Sequence, residues 1–234
     1  AAGLPALSAP PTRLLPENLR GRAVGLGTAG SSAGQFLVVP LAGLAIQGFG
    51  WQAALMAMAA AALLMIPLAL PLSDRPAPAA PGATAADSET AGAALSRAFR
   101  DASFWCLFFG FFVCGVHVSF LTVHLPGFVH SCGLPLYVGA GAISVIGLFN
   151  IGGSLLSGEL TQRWRRRELL VGIYAARGVL MAGFMMAEKT TASVMVFSAL
   201  MGVLWLSTVP PTVALCARNW GTRWLATIFG IVFL

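Results

Sequence analysis

Six unbroken apolar stretches, each about as long as a bilayer is thick, dominate this sequence: residues 23–46, 51–72, 104–125, 138–160, 168–187 and 194–215. A helix needs about 20 apolar residues to cross a hydrocarbon core of about 30 Å. Lipid offers the backbone no hydrogen-bond partners, so only helices and closed barrels span it. None of the stretches alternates apolar and polar residues with period two, which argues against a barrel. Composition points the same way. The chain is 57% hydrophobic and 9% charged, where a soluble domain carries about 25% charged residues. An ordinary cytosolic enzyme is therefore excluded, and disorder, which needs low hydrophobicity and high charge, is excluded too. The expected fold is an all-α membrane protein. A seventh apolar run starts at Leu225 and stops at Leu234 after ten residues; it is too short to cross, and the chain is expected to be a fragment cut within a helix.

The charges sort the connections into two sets. Of the 14 basic residues, all but Lys189 and Arg177 fall in alternate connections. Arg13, Arg20 and Arg22 lie in a stub at 1–22, and Arg75, Arg97 and Arg100 lie in the connection at 73–102. Arg163, Arg165, Arg166 and Arg167 follow the fourth stretch, and Arg218 and Arg223 follow the sixth. Excess arginine marks cytoplasmic loops. The expectation is a multi-pass protein of the cell membrane (the inner membrane if Gram-negative) with these loops in the cytoplasm. The net charge of +6 then reports topology and not nucleic-acid binding. Residues 74–90 are rich in Pro, Ala, Gly and Ser, the composition of a flexible linker, and residues 93–100 are expected to form a short surface helix before the third stretch. Cys106, Cys114, Cys132 and Cys216 are scattered and make neither a disulfide framework nor a zinc site. His130 and Cys132 are too few to hold a metal. No nucleotide-binding loop, nucleophile elbow or catalytic constellation is present, so neither an enzyme nor a cofactor is expected.

Residues that are costly in lipid carry the functional signal. Arg177 lies nine residues past Glu168, or roughly 13 Å deep at about 1.5 Å per residue. A midplane charge costs about 2.5–3.5 kcal/mol on insertion scales. No acidic residue lies within a turn of it, and Tyr174 shares its face. Such an arginine suits a substrate carboxylate, which it can grip with two hydrogen bonds. The alternative is an arginine held by backbone carbonyls. His117, in the third stretch, is a candidate for proton coupling or a neutral helix-contact histidine, and His124, seven residues on, shares its face toward the outer end. Asn150 and Gln35 lie mid-span, where an amide bonds either a substrate or a neighbouring helix. Gly30 and Gly34 are four apart on one face, with Gly25 preceding them, a spacing that lets helices approach closely. Pro210 and Pro211 are expected to interrupt the sixth stretch.

Two segments resemble a known family. Residues 23–34 are similar to the fifth-helix signature A-x-G-x-A-x-A-G-x-x-x-G of monocarboxylate porters within the major facilitator superfamily. Ala23, Gly25, Ala29, Gly30 and Gly34 match, with Gly27 where alanine is usual. Residues 158–167 resemble the superfamily's cytoplasmic loop motif G-x-L-x-D-R-x-G-R-R/K. Gly158, Leu160, Arg163, Arg166 and Arg167 match, while Gln162 replaces the acid and Arg165 the second glycine. Where relatives often carry an arginine one turn before that first glycine, Ser154 stands. The resemblance implies a major facilitator-type helix bundle, here incomplete, comprising about helices five to eleven of twelve. Residues 23–72 would be the last two helices of the N-terminal half, 73–102 the interdomain linker and 103–234 a truncated C-terminal half. It further implies secondary transport of a small organic anion related to oxalate, formate and monocarboxylates, with a proton as candidate coupling ion. Gly158, Arg163, Arg166 and Arg167 would gate the carrier. Alternatives are an efflux carrier for apolar or cationic compounds and a non-transporting membrane sensor. The oligomeric state is not legible.

Overall fold

A computed structural model describes residues 17–63, 66 and 90–233. The expected stub up to residue 16, the end of the second stretch and the linker through residue 89 lie outside the described residues. Eight helices are present, with no strand among the described residues: α1 (Glu17–Leu63), α2 (Ala91–Arg100), α3 (Ala102–Ser131), α4 (Leu136–Arg163), α5 (Arg166–Met186), α6 (Thr191–Leu204), α7 (Val209–Trp220) and α8 (Leu225–Val232). The expected short helix at 93–100 is α2. Thr90 caps it by accepting from the Ala93 amide, and Ala94 and Ala98 are its buried positions.

Two boundaries differ from the expected spans. Residues 22–63 are helical throughout except at Gly50, where φ is 82° and ψ is 163°. Forty-two helical residues would reach roughly 63 Å at about 1.5 Å per residue, twice the hydrocarbon core. The left-handed φ at Gly50 therefore divides two crossings, and only glycine adopts it without a steric penalty. The second difference is the sixth stretch, which is split. Helix α6 ends at Leu204, residues 205–208 are non-helical, and α7 begins at Val209. Contrary to the expectation that they interrupt a helix, Pro210 and Pro211 sit in the first turn of α7. Proline is tolerated there because first-turn amides have no intrahelical partner; the interruption moves to the preceding turn.

Helix α4 is the hub. Glycines let it contact neighbours on two sides. A Cβ at Gly25 of α1 would lie 2.8 Å from the Ser154 carbonyl and 3.3 Å from the Gly158 Cα, and one at Gly147 would lie 3.0 Å from the Phe36 amide. On the other side a Cβ at Gly202 of α6 would lie 2.6 Å from the Ile146 carbonyl, and one at Gly153 would run into the Val203 backbone. Between helices in lipid, van der Waals contact at small residues replaces the hydrophobic effect as the driving force. Gly30 and Gly34, expected to provide this contact, meet no described atom within 4 Å. The seam falls instead on Gly25, Thr28, Ser32 and Phe36, spaced three, four and four residues apart and thus one stripe of α1. Gly30 and Gly34 are rotated away from it.

Two apolar clusters lie toward opposite ends. One joins Phe104, Phe111, Val213, Trp220 and Phe229, at the end where Arg97, Arg100 and Arg218 lie. The other joins Leu121, Val129, Val138, Ile146, Phe197 and Met201. Outward-facing positions are equally apolar: Leu26, Phe49, Val123, Val179 and Met186 are all exposed, the last by 90%. So much contiguous exposed hydrocarbon suits lipid and not water.

Candidate functional site

A belt of polar side chains is buried between the two clusters, and it converges on the break at 205–208. Interrupting a helix in an apolar bundle leaves carbonyls and amides without partners, and each costs several kcal/mol in hydrocarbon if left so. Here side chains from two other helices meet them, and a third helix adds a side-chain contact. Arg177 of α5 donates from Nε to the Leu204 carbonyl at 3.0 Å and from Nη2 to the carbonyls of Leu204 and Trp205. Its Nη1 donates to Cys114 Sγ of α3 at 3.0 Å. Asn150 of α4 accepts from the Leu206 amide at 2.9 Å through Oδ1 and donates to Ser32 Oγ of α1 at 2.7 Å through Nδ2. Ser157 Oγ donates to the Ser207 carbonyl. Cys114 Sγ and Thr208 Oγ1 lie 3.4 Å apart. The break is thereby fixed by polar contacts to α3, α4 and α5, with α1 tied in through Asn150.

Arg177 is 1% exposed. Its charge meets carbonyl dipoles, a thiol and the Tyr174 ring, whose centroid is 6.0 Å from Cζ. No carboxylate pairs with it among the described residues. The carbonyl-held arrangement weighed from the sequence is thus present, and a guanidinium with five N–H groups retains donor capacity on Nη1. Tyr174 is partly buried beside Gly110, where a Cβ would lie 3.6 Å from the tyrosine oxygen. His117, one turn beyond Cys114, is partly buried, and its Nδ1 is enclosed without a hydrogen-bond partner. Gln35 packs its stem against Gly147. Asn150, fully buried, spends both ends of its amide on the protein. His124 meets the Phe120 ring in a tilted contact at 5.0 Å, away from this belt.

At the arginine-bearing end a second constellation ties α1 to α4. Glu159 accepts from Arg22 Nε at 2.6 Å and Nη2 at 3.1 Å, and from Arg163 Nε at 2.9 Å. The loop motif lacks its usual acid at Gln162, and Glu159, one turn earlier, takes up Arg163 instead. Gln162 Nε2 is buried without a partner. Gly158 is buried against Gly25, Arg165 pairs with Glu168 at 3.2 Å, Arg166 is partly buried and Arg167 is exposed.

Sequence reasoning missed Glu159, Ser157, Cys114 and Thr208 as members of these two groups. Ser157 and Thr208 carried a faint signal, being hydroxyls beside a glycine or ahead of a proline pair within apolar runs. Glu159 was visible as an acid at a variable position of the loop motif. Cys114 carried none. No group of three or more His, Cys, Asp or Glu side chains able to hold a metal occurs among the described residues.

Five helical segments long and apolar enough to cross a bilayer, packed around a buried polar belt and a broken helix, define a polytopic α-helical membrane protein with polar side chains in its interior. The chain belongs to the Major Facilitator Superfamily, whose family profile matches residues 1–234. The superfamily comprises transporters, and this chain is accordingly of major facilitator transporter type. No curated protein matches it.

Proposed function

We propose that this chain serves the secondary transport of small organic anions of the monocarboxylate kind, by alternating access, with Arg177 as the residue that takes the carboxylate. The observation that carries this reading is a guanidinium buried to 1% exposure that has dipolar partners but no carboxylate among the described residues. Carbonyl dipoles compensate a full charge only in part, and burying a charge is costly until it is paired. A substrate carboxylate supplies the missing countercharge and exchanges with the Leu204 and Trp205 carbonyls for the same N–H groups. Binding there loosens the clamp on the break between α6 and α7, so occupancy and conformation are linked through differential contacts. Broken helices at a midplane site are a recurring device of secondary carriers. Tyr174 shapes the site beside Arg177. The unpartnered Nδ1 of His117 is the place for a coupling proton. The arginine-rich connections lie in the cytoplasm, and the Arg22–Glu159–Arg163 group closes that side when α1 and α4 meet.

Counterflow by the full-length protein in proteoliposomes tests the reading, using radiolabelled formate, oxalate and lactate against an unlabelled pool. At least one should exchange. Arg177→Lys, which keeps the charge and loses the fork, should lower exchange, and Arg177→Met should abolish it while the protein remains folded by circular dichroism. Undiminished exchange by a folded Arg177→Met protein would dismiss the assignment.

A further inference from the structure

A cavity of about 870 Å³ lies between α3, α5 and α7 at the arginine-bearing end. Its walls are three helix faces: Ser103, Cys106, Leu107 and Gly110 from α3, Arg167, Leu170, Val171 and Tyr174 from α5, and Thr212, Leu215 and Arg218 from α7. Each set follows the three- and four-residue spacing of one helical face. The cavity is graded along its length. Arg165, Arg166, Arg167 and Arg218 stand at the mouth, and Leu107, Leu170, Val171 and Leu215 form the inner wall. At the mouth Arg165 is held by Glu168 at 3.2 Å. Arg167 and Arg218 are exposed and form no salt bridge among the described residues. The amide end of α5, which has no side-chain cap, opens at the same mouth.

From this grading we infer a binding site for an anionic phospholipid, with its headgroup phosphate on Arg167 and Arg218 and one acyl chain along Leu107, Leu170 and Val171. Guanidinium forks and a helix N-terminus both favour phosphate oxygens, and basic pockets between spanning helices take lipid headgroups. A free phosphate would use only the mouth. From Arg167 to Tyr174 the wall continues for seven residues, roughly 10 Å at about 1.5 Å per residue, with little to hydrogen-bond a second anion. Val171 is exposed, so the trough is open along its side, as an acyl chain entering from the bilayer requires. Tyr174 closes the inner end of this trough and also flanks Arg177, but the phosphate end at Arg167 and Arg218 does not involve Arg177, and the inference does not rest on the transport reading.

The test uses the purified full chain in detergent, titrated with dioleoyl phosphatidylglycerol or dioleoyl phosphatidylcholine and read by native mass spectrometry. Phosphatidylglycerol should bind in preference to phosphatidylcholine. Arg167→Gln with Arg218→Gln should weaken that binding roughly thirtyfold, as expected for two arginines at a lipid headgroup, whereas Arg167→Lys with Arg218→Lys should retain most of it. Gly110→Trp, which fills the trough and leaves the arginines, should also weaken it. Unchanged preference in the folded glutamine double variant overturns the inference. So does displacement of phosphatidylglycerol by equimolar glycerol 3-phosphate, which would show a free-anion site in place of a lipid site.

Discussion

Gly152 and Gly153 are adjacent on α4 and nearly identical in sequence context, yet they should respond oppositely to one methyl group. A Cβ at Gly152 meets nothing within 4 Å. A Cβ at Gly153 would fall 2.6 Å from the Val203 carbonyl carbon and 2.7 Å from its Cα, and closer still to the carbonyl oxygen. These are backbone atoms of α6, so relief requires the helices to separate. Alanine gains about 0.5–1 kcal/mol over glycine inside a helix, and this gain is common to both sites. Overpacking a close contact costs about 1–3 kcal/mol. Gly152→Ala should therefore leave the protein as stable or slightly more so, and Gly153→Ala should fall below it by about the overpacking cost. Displacing α6 also pulls Leu206 away from Asn150 and Leu204 away from Arg177, so the effect should lie toward the upper end. Thermal unfolding in one detergent, followed by circular dichroism, compares the two variants directly. Equal shifts, or a larger loss at Gly152, would refute the packing of α4 against α6.

Asn150→Ala should destabilise the fold by about 1–3 kcal/mol by orphaning the Leu206 amide, and a double-mutant cycle with Ser32→Ala should show a coupling of about 0.6–1.7 kcal/mol; strict additivity in a steric-trap unfolding measurement would remove the Asn150–Ser32 bond. His117→Gln should abolish the dependence of carboxylate uptake on a proton gradient and spare counterflow, so a retained gradient effect would exclude His117 as the proton site. Glu159→Gln frees Arg22 and Arg163 from an exposed pair, so it should leave the unfolding temperature nearly unchanged but increase maleimide labelling of a cysteine placed at Ser154 on the α1–α4 seam. Labelling no faster than in the parent would deny that pair a role in holding the seam closed.

The fold class was legible because lipid imposes one coarse rule: twenty apolar residues make a crossing. The finer packing obeyed interactions that sequence spacing does not reveal. The motif glycines Gly30 and Gly34 looked like the contact face of α1, but which stripe faces α4 depends on α4 offering Ser154, Gly158 and Gly147 at matching heights. Pro210 and Pro211 marked a disruption correctly and located it a turn late, because proline suits a helix start better than a helix interior. Arg177 was legible as a costly midplane charge, whereas its partners, the carbonyls of Leu204 and Trp205, are backbone groups with no signature in any side chain. Asn150 carried an open choice between ligand and neighbour, and its amide is engaged at both ends by the protein.

The sidedness of the bundle decides which ends of the helices face the cytoplasm, and site-directed labelling measures it most directly. In a variant with the native cysteines replaced, Trp164→Cys in the arginine-rich turn after α4 and Lys189→Cys in the turn before α6 report opposite ends of adjoining helices. A membrane-impermeant maleimide applied to intact cells should label the cysteine at 189 and reach the one at 164 only after the membrane is breached. Labelling of both positions from the same face would contradict the threading on which the site, its access and the gate all depend.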